Sequence, residues 1–241
     1  MQRWNGAIPR PVDKSVETVD KVSPAWNLDG GGVGIFAKEP LPGQVKTRLC
    51  PPLAPAQAAQ LYRISLLETV SVMTGAGFDP VVFYAGDEGF FRRSFPGARL
   101  LPQGEGNLGE RMERALEVLL GECEAAVLIG SDSPDLPPSR VKEAFAFLAE
   151  ADFVTAPSRD GGYVLVGERR HHAELFRDIP WSTDAVLETT RRRAIEESVI
   201  YGEVAGWDDV DDIVSLKRLV QRSPASATSR FARKILSDLG I

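Results

Sequence analysis

Short apolar runs alternate along the chain with segments in which apolar residues recur at helical spacing. Residues 33–37 and 125–130 are continuous apolar runs, as expected of parallel strands buried on both faces. Between residues 55 and 74, apolar side chains recur every three residues behind Pro55, which favours a helix start. The other predicted strands cover residues 80–85, 99–101, 153–156 and 163–166, and the other predicted helices cover 108–120, 139–150, 182–195 and one or two segments ending near Leu239.

This alternation favours an α/β class with a doubly wound sheet, right-handed crossovers and helices on both faces. The connection over residues 157–162 is too short for a helical crossover and suits a hairpin-like reversal, so we expect a mixed, mostly parallel sheet. The ligand crevice of such a sheet lies outside the carboxyl ends of its strands.

The length of 241 residues and the 43% hydrophobic content suit a single core. We interpret residues 33–241 as one domain. Residues 1–32 mix prolines, tryptophans and charges and end in three glycines, which indicates an N-terminal extension and hinge, with a packed arm as the alternative.

The formal net charge of -6 and the pI near 5.1 argue against a nucleic-acid surface, although a small anionic ligand can still bind local positive charge. Cys50 and Cys123 lack the spacing of a zinc site and are expected to be reduced thiols. No apolar run is long enough to span a membrane and the chain does not start like a signal peptide, so we expect a cytoplasmic protein without membrane partners.

The loop after the first strand, residues 38–49, carries Lys38, Lys46 and Arg48 around Gly43. Glycine permits close backbone approach, and the basic side chains can neutralise phosphate oxygens. The spacing matches neither a Walker A loop nor the GxGxxG fingerprint, which removes the main support for an NTPase or a dinucleotide dehydrogenase. An ordinary solvated loop is the alternative.

Acidic residues follow the clearest buried strand, where Ser131 and Asp132 precede a proline-fixed turn. Carboxylates suit Mg²⁺ or Mn²⁺, which also bind phosphate oxygens, but Asp132 could instead cap a turn. A second cluster places four carboxylates within residues 208–212. These groups repel one another unless they are solvated or share a cation, and the alternative is a capped start to the following helix.

Five ordered motifs together resemble the DUF2064 family of nucleotide-diphospho-sugar transferases, which includes glycosyltransferases linked to arsenosugar biosynthesis. More distantly, they are similar to 2-phospholactate guanylyltransferase and molybdenum cofactor guanylyltransferase. The resemblance runs from about Val33 to the C-terminal helices. The motifs are Lys38-Glu39-Pro40 with residues 43–49, residues 103–112, residues 130–137, residues 160–163 and residues 179–183.

The resemblance implies a Rossmann-like GT-A fold that binds a nucleotide sugar or an NTP together with Mg²⁺ or Mn²⁺. Asp132 would be the principal metal ligand and Asp211 the second, with Asp209 as the alternative because Asp212 stands where related proteins have threonine. The implied nucleotide-binding residues are Lys38, Gly43, Lys46, Arg48, Gly104, Asn107, Leu108, Gly109, Arg111 and Ser131. Gly161, Gly162 and Tyr163 would border the acceptor, where Trp181 is either a pocket residue or a core or lid aromatic before a helix cap at Ser182.

The expected reaction is transfer of a sugar to a small-molecule acceptor, with the diphosphate leaving group neutralised by the metal on Asp132 and by Lys46 and Arg48. Asp160 is the candidate base for an inverting transfer, or else a plain turn former. Nucleotidyl transfer from an NTP to a phosphorylated or carboxylated acceptor, with release of pyrophosphate, is the alternative reaction. A non-catalytic nucleotide-binding protein is the third possibility. His171 and His172 are interpreted as part of a solvated charged segment.

Overall fold

A single mixed sheet forms the centre of the computed structural model, which describes residues 31–241. Within those residues the sheet has seven strands in the order β3-β2-β1-β4-β6-β5-β7. β6 runs antiparallel to β4 and β5, and the other pairs are parallel. The strands are β1 (Gly31–Lys38), β2 (Val81–Ala85), β3 (Leu100–Pro102), β4 (Ala125–Gly130), β5 (Phe153–Pro157), β6 (Tyr163–Glu168) and β7 (Tyr201–Glu203).

Helices cover both faces of this sheet, which confirms the predicted α/β class and its mixed, mostly parallel topology. α1, α2 and α4 pack on one face, α3 and α5 pack on the other, and α6 and α7 form a separate apolar cluster against α1. The helices are α1 (Pro55–Gly75), α2 (Glu88–Ser94), α3 (Leu108–Leu120), α4 (Pro138–Leu148), α5 (Val186–Glu196), α6 (Ile213–Arg222) and α7 (Ala227–Asp238). None of the helices between residues 31 and 241 has the length and apolar composition that a membrane crossing requires.

Most predicted elements are confirmed to within one or two residues, because their patterns are strong. The start of α3 is fixed by a capping box in which the Asn107 side chain accepts from the Glu110 amide and Glu110 accepts from the Asn107 amide. β5 and β6 form the predicted antiparallel reversal around residues 158–162. The extension predicted for residues 1–32 lies, up to residue 30, outside the described residues.

Three details of the predicted pattern are corrected. β1 begins at Gly31, two residues earlier than expected, because Gly31 and Gly32 pair with Ala125 and Ala126. The helix predicted from residue 182 begins only at Val186, and Ser182 has a φ of 67° that is incompatible with a helix cap. α2 and β7 were not predicted, since one is a seven-residue helix and the other a three-residue edge strand.

Candidate functional site

A cavity of about 820 Å³ lies at the carboxyl ends of β1 and β4, where the topology predicts a ligand crevice. Most of the candidate residues line it, and the roles predicted for them remain predictions. Gly43, Gly104, Gly109 and Gly161 do not line the cavity themselves. The candidates that do are Lys38, Lys46, Arg48, Asn107, Leu108, Arg111, Ser131, Asp132, Asp160, Gly162, Tyr163, Trp181, Asp209 and Asp211.

Lys46 joins two of the predicted metal ligands. Its ammonium lies 2.5 Å from Asp132 Oδ1 and 3.0 Å from Asp211 Oδ1, and its side chain is only 5% exposed. Burial alone would lower the pKa of Lys46, but the two carboxylates outweigh burial and hold the pKa above its usual value. Lys46 is therefore a permanent cation between the end of β4 and the acidic loop, whereas Arg48 is 70% exposed and lies 3.8 Å from Asp211.

Hydrogen bonds fix the end of β4 beneath Asp132. The Tyr62 hydroxyl accepts from the Lys38 amide at 2.8 Å and bonds to the Ser131 hydroxyl at 2.8 Å. Burial and the nearby Asp132 raise the pKa of Tyr62 to about 12, so its hydroxyl stays protonated. Sequence reasoning missed Tyr62, which lies on the predicted α1 and carries no motif; in the structure it ties the β1 and β4 ends together.

The carboxylates of the acidic loop, residues 207–212, form two groups with different surroundings. Asp208 pairs with Arg159, Arg218 and Arg222, and the Asp212 side chain accepts from the Ser215 amide as the cap of α6. Asp209 and Asp211 instead line the cavity. The capping interpretation is therefore correct for Asp212. Asp209 and Asp211 do not cap the helix and face the cavity, where a ligand can reach them.

Asp160 reaches the same place from the β5–β6 turn. Carboxylate oxygens of Asp160, Asp209 and Asp211 all lie within 4.8 Å of one another. Asp160 also accepts from the Gly162 amide at 3.0 Å and from the Ser158 hydroxyl, so the turn-forming interpretation is correct as well. Three converging carboxylates suit a hard divalent cation such as Mg²⁺ or Mn²⁺.

The convergence of the three carboxylates disfavours ionisation of Asp209. Burial, followed by repulsion from Asp211 and Asp160, raises the pKa of Asp209 to about 7, and Lys46 offsets only part of that rise. A carboxylate with a raised pKa destabilises the fold when it is ionised. The destabilisation begins above the ordinary pKa near 3.8 and is complete above about pH 7.

We therefore expect Asp209→Asn to stabilise the metal-free protein. After discounting for partial exposure, the gain should be on the order of 1–2 kcal/mol at pH 8 and should vanish near pH 4. Urea denaturation with EDTA at several pH values measures this directly. A variant that is no more stable than the parent at pH 8 would show that Asp209 is not under charge repulsion.

A segment that we call the strap, residues 177–185, spans the cavity between α3 and the β5–β6 turn. Trp181 packs edge-on against Tyr163 and parallel to Phe176, with both ring centroids 6.4 Å away. A side chain on Gly109 would overlap the Trp181 indole, so glycine at this position lets the strap approach α3 closely. Trp181 is thus both a cavity residue and a packing residue.

Gly161 holds the other end of the strap. Its φ of +88° favours glycine, an added Cβ would overlap the backbone of Asp184, and its carbonyl accepts from the Leu187 amide at 2.8 Å. We expect Gly161→Ala to cost about 2 kcal/mol in urea denaturation. Gly162→Ala is the matched control, because its Cβ would approach only the side chains of Asp160 and Ser158, at 3.3 Å or more. Equal losses for the two variants would refute this role of Gly161.

The side chains add detail to the prediction for Tyr163 and correct the interpretation of the two histidines. Tyr163 turns its ring to the cavity and buries its hydroxyl, and burial raises its pKa well above the usual range. His171 and His172 are not simply solvated. His171 Nδ1 lies 3.0 Å from the fully buried carboxylate of Glu168, which also accepts from the His172 amide.

An ion-pair network behind the acidic loop escaped sequence reasoning. Asp135 is 5% exposed and accepts from Arg222 at 2.7 and 2.8 Å, from Ser223 and from Trp207. Arg222 also forms an ion pair with Asp208 at 3.2 Å, and its guanidinium lies over the Trp207 ring. The Val210 amide donates to the Asp132 carbonyl at 3.0 Å, which links the loop to the end of β4. Asp135 and Arg222 are 87 residues apart in the chain, so no local sequence pattern indicates that they pair.

The protein has the Rossmann-like fold that is shared by nucleotidyl and nucleotide-sugar transferases. Residues 69–183 match the DUF2064 family, described as an uncharacterized protein conserved in bacteria. This match confirms the predicted resemblance over residues 69–183, and the first motif, residues 38–49, lies outside it. No curated protein matches the chain.

Solved structures extend the likeness beyond that segment. A protein from Desulfovibrio desulfuricans G20, provisionally described as a nucleotide-diphospho-sugar transferase, is 29% identical, with a TM-score of 0.79 over 85% of this chain and 94% of that one. A cytidylyltransferase from Leptospira borgpetersenii is 12% identical, with a TM-score of 0.50 over 88% and 95% of the two chains. Rv0371c from Mycobacterium tuberculosis H37Rv, in complex with manganese, is 15% identical, with a TM-score of 0.50 over 80% and 98%. The last two similarities show the fold alone.

Proposed function

We propose that this protein is a metal-dependent transferase that moves a sugar from a nucleotide-diphospho-sugar donor to a small-molecule acceptor. The observation that carries the proposal is the convergence of Asp160, Asp209 and Asp211 within 4.8 Å, in one cavity with Lys46 and Arg48. Such a site can hold a divalent cation and a diphosphate side by side. The 29% identical neighbour described as a nucleotide-diphospho-sugar transferase supports the same class of donor.

The metal ligands that we propose are Asp209 and Asp211 together with Asp160, and Asp132 completes the site from the β4 end. When bound, Mg²⁺ or Mn²⁺ would neutralise the charge that develops on the diphosphate leaving group. Asp160 thereby becomes a ligand candidate in addition to the base candidate of the sequence analysis. Its hydrogen bonds to Ser158 and Gly162 fix its carboxylate, which suits a ligand better than a base that must change partners.

The basic residues act on the donor phosphates. Lys38 and Arg48 are exposed at the cavity wall and can bind phosphate oxygens without first leaving a buried ion pair. Lys46 contributes positive charge from beneath, where Asp132 and Asp211 hold it. A fixed charge such as that of Lys46 stabilises a leaving diphosphate without reorganisation during the reaction.

The start of α3 provides the proposed nucleotide pocket. Arg111 Nε donates to the Gly106 carbonyl at 2.8 Å, and Arg114 donates to the carbonyls of Gln103 and Glu105, so the loop before α3 keeps its shape. Leu108 is 42% exposed at the cavity, where an apolar side chain can pack against a base.

Nucleotidyl transfer is the second candidate, because the same basic residues could surround the α-phosphate of an NTP and the fold is shared with a cytidylyltransferase. Calorimetric binding of UDP-sugars, GDP-sugars, GTP and CTP with Mn²⁺, combined with a pyrophosphate-release assay, separates the two. We expect sugar-nucleotide binding that requires Mn²⁺ and no pyrophosphate from any NTP. Pyrophosphate release would establish nucleotidyl transfer, and binding without any turnover would indicate a nucleotide-binding protein.

A further inference from the structure

Lys46 fills a position between two carboxylates that could otherwise hold a metal ion. Its ammonium lies 2.5 Å from Asp132 Oδ1 and 3.0 Å from Asp211 Oδ1, and these oxygens come from the end of β4 and from the acidic loop. Oxygens that converge on one point in this way suit a hard divalent cation. A cation of the protein itself takes that point here, because the Lys46 side chain is inserted between the carboxylates and is only 5% exposed.

The carboxylate trio lies beside this position and shares Asp211 with it. Oxygens of Asp160, Asp209 and Asp211 converge within 4.8 Å, but among the residues that the structure describes neither Asp160 nor Asp209 forms an ion pair with a basic side chain. The nearby Arg48 lies 3.8 Å from Asp211. The cavity therefore offers two adjacent cation positions, of which the first is filled by Lys46 and the second is available to a metal ion.

The backbone on both sides holds Lys46 in place. Val45 and Leu49 are buried on either side of it, at 6% and 0% exposure. Lys46 has a left-handed φ of 49° directly before a 3-10 turn that ends at Leu49, and its ammonium lies 6.0 Å from the centre of the Tyr62 ring. Because buried side chains flank it and both carboxylates attract it, we expect Lys46 to stay in place when a metal ion binds to the trio.

We propose that Lys46 is a positioning residue that takes the place of a second divalent cation, so that the cavity binds one metal ion, at the carboxylate trio. The inference rests on the proposed function, in which that trio holds the metal. In two-metal enzymes the second ion helps to stabilise the attacking and leaving oxygens. Here the Lys46 ammonium supplies that positive charge without a second ion from solution, and it holds Asp132 and Asp211 together before any metal binds.

The test counts the Mn²⁺ ions that each full-length protein binds, with Mn²⁺ as the only ligand and electron paramagnetic resonance as the measure of free Mn²⁺. We expect one ion per chain in the parent and two in Lys46→Met, with the second ion bound at least about 10-fold more tightly than any weaker binding to the parent. Methionine keeps an unbranched chain beside Tyr62 but leaves Asp132 and Asp211 without their cation. Since the two ions would share Asp211, their spins should couple and broaden the signal of the bound metal. Replacing a residue that only supported the fold would instead weaken Mn²⁺ binding.

Lys38→Met is the matched control, because it removes the same charge from an exposed cavity residue that has no ion pair among the described residues. It should keep one ion per chain. Adding Asp132→Asn to Lys46→Met should remove the second ion again, since Asp132 borders the Lys46 position and is not part of the trio.

Two tightly bound ions in the parent would show that metal displaces Lys46, and would overturn the inference even if Lys46→Met does not fold. A folded Lys46→Met protein that binds no more Mn²⁺ than the parent would overturn it as well. Both results would leave the proposed function standing. A parent that binds no Mn²⁺ would instead overturn the proposed metal-dependent function together with the inference.

Discussion

Asp211→Asn is expected to weaken Mn²⁺ binding by at least about 100-fold and to abolish Mn²⁺-dependent nucleotide binding. Asp211 links the basic residues of the cavity to the carboxylate trio. One oxygen lies 3.0 Å from Lys46 Nζ and the other lies 3.8 Å from Arg48, while the carboxylate also belongs to the trio with Asp160 and Asp209. An amide retains the size of the side chain but loses the charge that a hard cation requires.

Asp212→Asn is the matched control for this variant, because it removes the same charge one residue later. Asp212 caps α6 through its side chain, and asparagine caps helices about as well as aspartate. Its Mn²⁺ affinity should stay within about 3-fold of the parent. Electron paramagnetic resonance of free Mn²⁺ measures both affinities. Equal losses in the two variants would mean that the loop acts through its net charge alone, and an unchanged affinity in Asp211→Asn would remove Asp211 from the site.

The strands and most helices could be predicted because each carries a local signal. Residues 125–130 form an uninterrupted apolar run and become the buried β4, and the Pro55 start of α1 is visible in the sequence. The strap could not be predicted as a non-helical segment. Its Trp181 side chain lies against Gly109 and its Asp184 backbone lies against Gly161, and both glycines are distant from the strap in the sequence.

The sequence marks Asp132, Asp160, Asp209 and Asp211 as candidates, but it does not predict how they are grouped in space. Asp160 and Asp209 are 49 positions apart and meet only because the β5–β6 turn lies beside the loop that follows β7, where the Trp207 amide donates to the Pro157 carbonyl. The division of the acidic loop into structural and cavity-facing carboxylates likewise depends on arginines from α6. Local sequence patterns therefore indicate which residues are candidate ligands, and the tertiary structure decides which of these residues are available to a ligand.

Arg222→Met is expected to cost about 3–5 kcal/mol of stability near neutral pH, because it leaves the buried Asp135 carboxylate without its main partner and removes one of the three arginines that pair with Asp208. Arg222 bonds to both oxygens of Asp135 and reaches Asp208, and these carboxylates are 5% and 12% exposed. Burial alone would raise the pKa of Asp135, but the hydrogen bonds from Arg222, Ser223 and Trp207 hold it below its usual value. That stabilisation is present above the ordinary pKa near 3.8 and is lost as the pH falls below it, so the cost of the variant should shrink in acid.

The same variant should also weaken Mn²⁺ binding, by about 10-fold, although Arg222 is not among the residues that line the cavity. Arg222 anchors Asp208 directly before Asp209, and without it the acidic loop loses the support that opposes repulsion within the carboxylate trio.

Arg218→Met is the control, since Arg218 contacts only Asp208 in this network, at 3.3 Å, and its side chain is 39% exposed. Arg222→Lys should restore less than half of the lost stability, because an ammonium cannot bind both Asp135 oxygens and reach Asp208 together. Urea denaturation and Mn²⁺ titration of the folded variants separate the two effects. An Arg222→Met protein that loses stability but binds Mn²⁺ like the parent would show that this network supports the fold and not the position of Asp209 and Asp211.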